Sequence, residues 1–334
     1  MRIEPTLRAL ADPTRLRIMR LLAAMELAIG ELAQVLGQSQ PRVSRHAKIL
    51  CDAGLAERRK EGSWVFLRHL VGSADGPGLG AATARLLGAA EDSDEGFAAR
   101  CAEDRRNLAA IRAAREDRAA EYFAAHAEEW DQLRVLHAPD APVERALGEA
   151  LGADDLGTLL DIGTGTGRMA ELFAPRADRV VALDKSPEML RLARARLQNL
   201  AADRLDIVQG DFAALPLADA SVDTVLFHQV LHYAQEPQVA LAEAARVARP
   251  DAMLAIVDFA AHEREELRQQ HQHARLGFSD EQMLDLLAGA GFAPEETRAL
   301  PGKPLTVKIW TARRTGEAAP GSVRTTRLGQ ELSR

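Results

Sequence analysis

The sequence predicts a multidomain chain in which a small α+β module precedes a larger α/β module built on a parallel sheet. Three observations carry that expectation. Near the N-terminus, short amphipathic helical segments broken at Gly37 are followed by two alternating strands. Residues 159–185, LLDIGTGTGRMAELFAPRADRVVALDK, read as strand, glycine-rich turn, helix and strand, and further apolar β-prone runs follow at the spacing of repeated βαβ units. With 334 residues and 47% hydrophobic content, each of two or more domains can bury a core.

Within the first module, residues 7–22, LRALADPTRLRIMRLL, carry an amphipathic helix whose start is marked by Asp12 as N-cap and Pro13 in the first turn. Residues 29–36, IGELAQVL, give a second helix that Gly37 ends, and residues 39–50 give a third, which is helix-turn-helix spacing. The third helix gathers Gln38, Ser39, Gln40, Arg42, Ser44, Arg45 and His46 on or near one end, with Val43, Ile49 and Leu50 at core spacing. Those polar and cationic groups suit base edges and phosphates. AERRKEG, a turn at Glu61-Gly62-Ser63 and the returning strand WVFLRH then form a β-wing that adds Arg58, Arg59 and Lys60. Residues 1–70 hold 12 Lys and Arg against 7 Asp and Glu, about +5, while the remainder is about −12. That asymmetry supports contact with double-stranded DNA, the alternative being a winged helix used only for protein contact.

With ADPTRLRIMRLL and SQPRVSRHAKIL in register ahead of the wing, residues 4–70 resemble the ArsR-type winged helix-turn-helix repressors. The resemblance implies a homodimer on a palindromic operator. That family often senses metals through cysteines on its second helix, and residues 27–33, LAIGELA, contain none. Cys51 and Cys101 are the chain's two cysteines, with no histidine at ligand spacing, so neither a metal site nor a disulfide is expected and a reduced cytoplasm fits.

In the second module, Gly163, Gly165 and Gly167 allow the backbone to approach a ligand closely. The helix beginning near Arg168 points its N–H groups there, where an anionic group is expected. Asp184 closes the second apolar strand, where a carboxylate can accept from both ribose hydroxyls. Asp161 beside the turn suits an ammonium better than a pyrophosphate, which argues against a dinucleotide and against a redox or nucleotide-sugar protein. Together with Ser186-Pro187-Glu188-Met189-Leu190, the block resembles the class I S-adenosylmethionine-dependent methyltransferases over roughly residues 120–314. That resemblance implies an α/β Rossmann-like fold in which Asp161, Gly163 and Gly165, on the turn that Gly167 completes, contact the methionine part. Asp184 would hold the ribose, Lys185 or Met189 would cover the adenine, Asp211 would accept from the adenine amino group and Phe212 would present its backbone N–H to the ring. Residues His228 to His232 would lie over the sulfur, although His228 reads equally well as a structural histidine at a strand end. Tyr122, Phe123, His126 and Trp130 would cover the pocket. The scarcity of thiols argues against the related arsenic methyltransferases.

The expected domains are a winged helix over 1–72, a linker and helical dimerisation or connector region over 73–133, a methyltransferase-like domain over 134–314 and a disordered tail over 315–334. The long helical stretch 94–133 pairs with a symmetry mate or serves as a spacer. Beyond Asp258-Phe259, residues 262–292 read as helical, placing His271 with Arg275 and Glu263 with Glu266 on shared faces. His228, His232, His271 and Arg275 are therefore the catalytic candidates, against the reading of a solvated charged surface. No apolar stretch is long enough to span a bilayer and Arg2 and Glu4 do not open a signal peptide, so a cytoplasmic location without membrane contact is expected. The whole-chain order resembles bacterial fused regulators proposed to control methionine-cycle genes in response to S-adenosylhomocysteine. It implies S-adenosylhomocysteine or S-adenosylmethionine as a small-molecule effector. The alternative is an active small-molecule methyltransferase with an attached winged helix, because methyl transfer needs mostly orientation and the lack of an obvious base decides nothing.

Overall fold

Residues 3–61, 63–70, 79–131 and 140–316 are described by the computed structural model. The expected linker over 72–78 and the tail beyond 316 lie outside them. The chain divides into two compact units: one takes Met1–His126 together with His232–Glu236 and Ala261–Gly277, and the other takes Ala127–Leu231, Pro237–Ala260 and Phe278–Arg334. This differs from the expected linear boundaries, since two short stretches of the second module's sequence belong to the first unit.

The first unit opens with α1 (Ile3–Leu10) and α2 (Pro13–Leu22). Asp12 caps α2 by accepting the Arg15 N–H at 3.1 Å, an interaction worth about 1 kcal/mol. After β1 (Leu27–Ala28), α3 (Ile29–Val35) is started by the Glu31 carboxylate, which reaches back to the Ala28 N–H at 3.0 Å. Gly37, at φ +62°, lets the chain turn into α4 (Gln40–Asp52). The hairpin β2 (Ala56–Glu61) and β3 (Trp64–His69) pairs Arg59 with Phe66 and Glu61 with Trp64, and β1 adds to the other edge of β3. Next come α5 (Leu79–Ser93) and the 32-residue α6 (Glu95–His126), which a 3-10 turn over Ala127–Glu129 follows. Ile18, Met19, Leu32, Val43, Leu50, Leu55, Leu67 and Leu108 form the core.

The second unit contains α7 (Asp140–Ala150) and then winds β4 (Thr158–Ile162), α8 (Arg168–Phe173), β5 (Arg179–Asp184), α9 (Pro187–Arg196), β6 (Leu205–Gln209), β7 (Val222–His228), α10 (Pro237–Val247) and β8 (Ala248–Phe259). Five parallel strands stand in the order β6-β5-β4-β7-β8. The sheet is extended by antiparallel β10 (Val307–Arg314) and β9 (Phe292–Leu300) at its edge. The buried runs Leu159-Leu160 and Val225-Leu226-Phe227 are apolar on both faces because helices cover both sides of a parallel sheet. Ser279 caps α12 (Asp280–Ala290) through the Gln282 N–H, and Gly291 ends it in a left-handed conformation. A reversal of strand order lies between β4 and β7, so their carboxyl ends frame a crevice of the kind in which open α/β sheets bind ligands.

FAPEETRAL forms strand β9, an edge strand that leaves its charged residues largely in solvent. One expectation is corrected. The helix expected across 262–277 shrinks to α11 (Glu266–Gln270), so His271 and Arg275 share no helix face and neither do Glu263 and Glu266.

The first unit also holds a proton-sensitive group. Burial, the nearby His232 imidazole and the Arg264 and Arg268 cations hold His262 down to about 4, with Glu61 opposing them. Its neutral form is therefore favoured by folding, and stability falls where the unfolded chain takes up a proton that the folded one refuses. The thermal midpoint of the first unit, read by Trp64 fluorescence, is expected to drop as pH is lowered from 6.5 towards 4, and His262→Gln should flatten that part of the profile.

Candidate functional site

The crevice is built on the turn after β4. The Leu183 carbonyl accepts both the Gly163 N–H at 2.8 Å and the Thr164 N–H at 2.9 Å, the Asp184 carboxylate accepts the Gly165 N–H at 2.8 Å, and the Gly167 N–H closes on the Thr164 carbonyl. These bonds require left-handed backbone at Gly163 (φ +69°), Gly165 (+55°) and Gly167 (+85°). A Cβ on Gly163 would stand 2.3 Å from a Val230 methyl, and one on Gly165 would stand 3.4 Å from the Trp130 indole nitrogen. These four turn amides are already donated within the fold, so they are not available to cradle a phosphate.

The other predicted residues follow along the same edge. Asp161, almost fully buried one residue before the end of β4, accepts the Thr164 hydroxyl at 2.6 Å. Asp184, partly buried at the end of β5, accepts Gly165 on one oxygen and the Ser186 N–H on the other. Burial pushes its carboxyl up, against the backbone N–H groups of Ser186, Gly165 and Lys185. Beyond β6, Asp211 accepts from Lys185 Nζ at 2.8 Å, so two residues expected near an adenine face each other; Phe212 is partly buried. Met189 is buried in α9, whose first turn Ser186 caps. His228 ends β7 almost fully buried. Gln229 follows it in a left-handed backbone, with its N–H on the Val257 carbonyl of β8. The turn therefore brings together Asp161, the three glycines and Asp184, and the Lys185–Asp211 pair continues the edge.

Sequence reasoning missed several residues here. Thr166 donates to Asp131, which also takes Arg196 at 2.5 Å, pinning the segment of Trp130 to the glycine turn. Asp258, fully buried one residue before the end of β8, accepts the Phe259 N–H. No local pattern marks Asp131 or Arg196, because their partners are set by packing.

The remaining catalytic candidates belong to the first unit. The Tyr122 hydroxyl and His271 Nδ1 lie 2.7 Å apart, and burial lowers the His271 pKa. His232 stacks on Tyr233 and His273, with ring centroids 4.1 and 4.2 Å away. Arg275 is buried beside Glu26 and Glu61, which corrects its reading as an acid–base or anion-binding group: its charge is spent inside the fold.

The candidate nucleic-acid face lies on α4. Ser39, Gln40, Arg42 and Arg45 are exposed, as is Lys48, which sequence reading passed over. Among the described residues neither Arg42 nor Arg45 has an acidic partner. Gln38 instead donates to the Thr14 hydroxyl, and His46 turns towards Asp12 at 3.7 Å, its pKa lowered mainly by burial. Ser44 is partly buried, and its carbonyl receives Arg58 at 2.6 Å. Lys60 is exposed, but Arg59 is corrected: it points inward, donating to Glu26 and Glu61.

Fold and site together define a Rossmann-like class I methyltransferase domain that follows a helix-turn-helix. In agreement, residues 160–256 match the family model of a methyltransferase domain, and residues 12–58 match that of the bacterial regulatory proteins of the ArsR family. This chain carries an ArsR-family helix-turn-helix and a class I methyltransferase domain. It is similar to the demethylmenaquinone methyltransferase of Renibacterium salmoninarum, 37% identical over 115 residues, covering 34% of this chain and 46% of that one. It is also similar to the malonyl-[acyl-carrier protein] O-methyltransferase of Methylococcus capsulatus, 36% identical over 137 residues, covering 38% and 49%. The chain thus spans about half the length of these relatives. A solved complex of the Haloferax volcanii Trm112 methyltransferase activator with a methyltransferase shares the fold, with a TM-score of 0.50 at 22% identity over 58% of this chain and 96% of that one.

Gly163→Ala should place a side chain in backbone that disfavours L-residues by roughly 1–2 kcal/mol and drive it into Val230. Calorimetry is expected to register loss of adenosyl-ligand binding. Because the Asp184 carboxyl titrates above its ordinary range and a ribose needs the ionised form, ligand affinity should weaken as pH falls, beginning above the usual aspartate value of about 4.

Proposed function

We propose that this protein is a DNA-binding transcriptional regulator whose methyltransferase-like domain binds S-adenosylhomocysteine, or S-adenosylmethionine, as an effector. The reading rests above all on one observation: a glycine turn whose amides are committed to Leu183 and Asp184, with that carboxylate at the strand end, suits a nucleoside carrying an amino acid rather than a phosphate. Asp184 would accept from the ribose hydroxyls, Asp161 would attract the ammonium end, and Lys185, Met189, Asp211 and Phe212 would surround the base. S-adenosylmethionine, when bound, supplies an electrophilic methyl group; the demethylated form supplies none and acts by occupancy alone.

The DNA half of the reading is supported by Arg42 and Arg45 of α4, which are exposed and have no acidic partner among the described residues. A homodimer on a palindromic operator agrees with the apolar side chains of Ile3 and Leu7 on α1 and Leu86 on α5, all exposed in the single chain. A cytoplasmic location belongs to the same reading; among the described residues no helix is long and apolar enough to cross a membrane. The catalytic names of the relatives favour a second reading, an active small-molecule methyltransferase recruited or regulated by its winged helix.

Titration calorimetry with each adenosyl ligand, repeated with promoter DNA from the protein's own locus, separates the two. A regulator is expected to change its DNA affinity by about 5–150-fold on binding S-adenosylhomocysteine. Binding of both ligands with no effect on DNA would favour the enzyme. Arg42→Ala or Arg45→Ala should weaken operator binding by about 1–3 kcal/mol where the residue reads a base, and unchanged affinity in both would refute the assignment of α4 as the DNA-reading element.

A further inference from the structure

The wing of the first unit is built to hold a segment of the chain. At its tip, Glu61 is 4% exposed and accepts from Arg268 Nη2 at 2.6 Å, the Leu276 N–H at 2.8 Å and Arg59 Nη1 at 2.8 Å, with Arg275 Nη1 3.8 Å away. Arg59 and Arg275 also share Glu26. Two of the three arginines of Ala261–Gly277 cover the wing's aromatic residues: the Arg268 guanidinium lies 4.4 Å from the Trp64 ring centroid and that of Arg275 lies 4.6 Å from Phe66. At the turn itself, the Ser63 N–H donates to Glu265 at 2.5 Å. Arg268 and Arg275 are 6% and 4% exposed, so the segment cannot lift away without stripping buried charges of their partners. Such an element is either docked or released, with little in between.

The segment is also tied at its base. Ala261 follows the last residue of β8 by two positions, and the Phe278 N–H donates to the Phe259 carbonyl at 2.9 Å, so both ends of the excursion leave from the carboxyl end of β8. The other excursion, His232–Glu236, begins four residues after the end of β7 and is joined to the first by the Arg275 N–H on the His232 carbonyl, at 2.8 Å, and by Arg275 Nη2 on the Gln235 carbonyl, at 3.0 Å. The carboxyl ends of β7 and β8 belong to the edge where the ligand is proposed to bind.

We propose that the wing is the receiver of the ligand signal: Ala261–Gly277, docked on Glu61, carries ligand occupancy at the ends of β7 and β8 into the winged helix. The inference rests on the effector reading above and names the route by which that effector acts.

Hydrogen exchange of the full-length protein with and without S-adenosylhomocysteine, read at the amides of Ser63 and Leu276 and paired with operator affinity, tests it. Both amides are expected to change their exchange rates when ligand binds. In full-length Glu61→Gln, affinity for S-adenosylhomocysteine and apo affinity for DNA should persist while the ligand-induced change in DNA affinity collapses from about 5–150-fold to near one. A ligand-dependent DNA affinity with unchanged exchange at both amides, or full coupling in Glu61→Gln, overturns the route and leaves the effector reading standing. Altered wing exchange without any change in DNA affinity supports the route and defeats the effector reading. Absence of ligand binding defeats both. Should Glu61→Gln fail to fold, the wild-type exchange measurement decides.

Discussion

The second unit depends on how the turn after β4 is fastened to the end of β5. One carbonyl, that of Leu183, takes two consecutive amides, and the next residue's carboxylate takes a third. Everything around the crevice follows from that fastening. It demands left-handed backbone at alternate positions and brings the turn so close to Val230 that a Cβ at Gly163 has no room. It also aims Asp184 along the strand ends. The same carboxylate that shapes the apo turn is the group that a ribose would engage, so the site is organised before any ligand arrives and loses little order on binding. Keeping a partly buried carboxylate there works against stability, as its raised pKa indicates, which is the usual direction of compromise at functional positions.

A different constraint governs the first unit. Buried ion pairs add little net stability compared with apolar packing, but removing one member is heavily penalised. Three arginines around Glu61 and Glu26 therefore act less as glue than as a specification: they admit one docked arrangement of Ala261–Gly277 and disfavour near alternatives. Burial alone would push the Glu61 carboxyl up, yet Arg275, the Leu276 N–H, Arg59 and Arg268 together bring it below its ordinary value, so it stays charged wherever the fold is intact. The α+β winged module is in this sense completed by residues that a linear reading assigns to the α/β module.

Much of the architecture was legible because local chemistry and tertiary role coincide. Asp12-Pro13 starts α2, Gly37 breaks the helix-turn-helix, Ser186-Pro187 and Ser279 open their helices, and the apolar runs of β4, β5 and β7 are buried on both faces. The glycine turn and Asp184 were equally readable, since positive φ leaves a mark in composition. What escaped lacks a local signature. β9 carries charges on both faces and is a strand only because β10 offers it an edge. Residues 271–277 have helical composition, but Glu61 takes the Leu276 N–H and the His232 carbonyl takes that of Arg275, and these bonds replace helical ones. Arg59 reads as a phosphate contact until Glu26 and Glu61 are found beside it, and Asp131 and Arg196 acquire a role only through Thr166.

The Glu61–Arg268 pair spans 207 positions of sequence. Two domains that merely follow one another can be inherited, shuffled and exchanged as cassettes, each tolerating its own substitutions. Here a change of charge at the wing tip leaves an unmatched guanidinium 207 positions away, and the reverse holds as well. Descent should therefore preserve the two stretches as a matched set. A chimera that joins this winged helix to another methyltransferase domain would import the wrong complement for its wing even when both halves are individually sound.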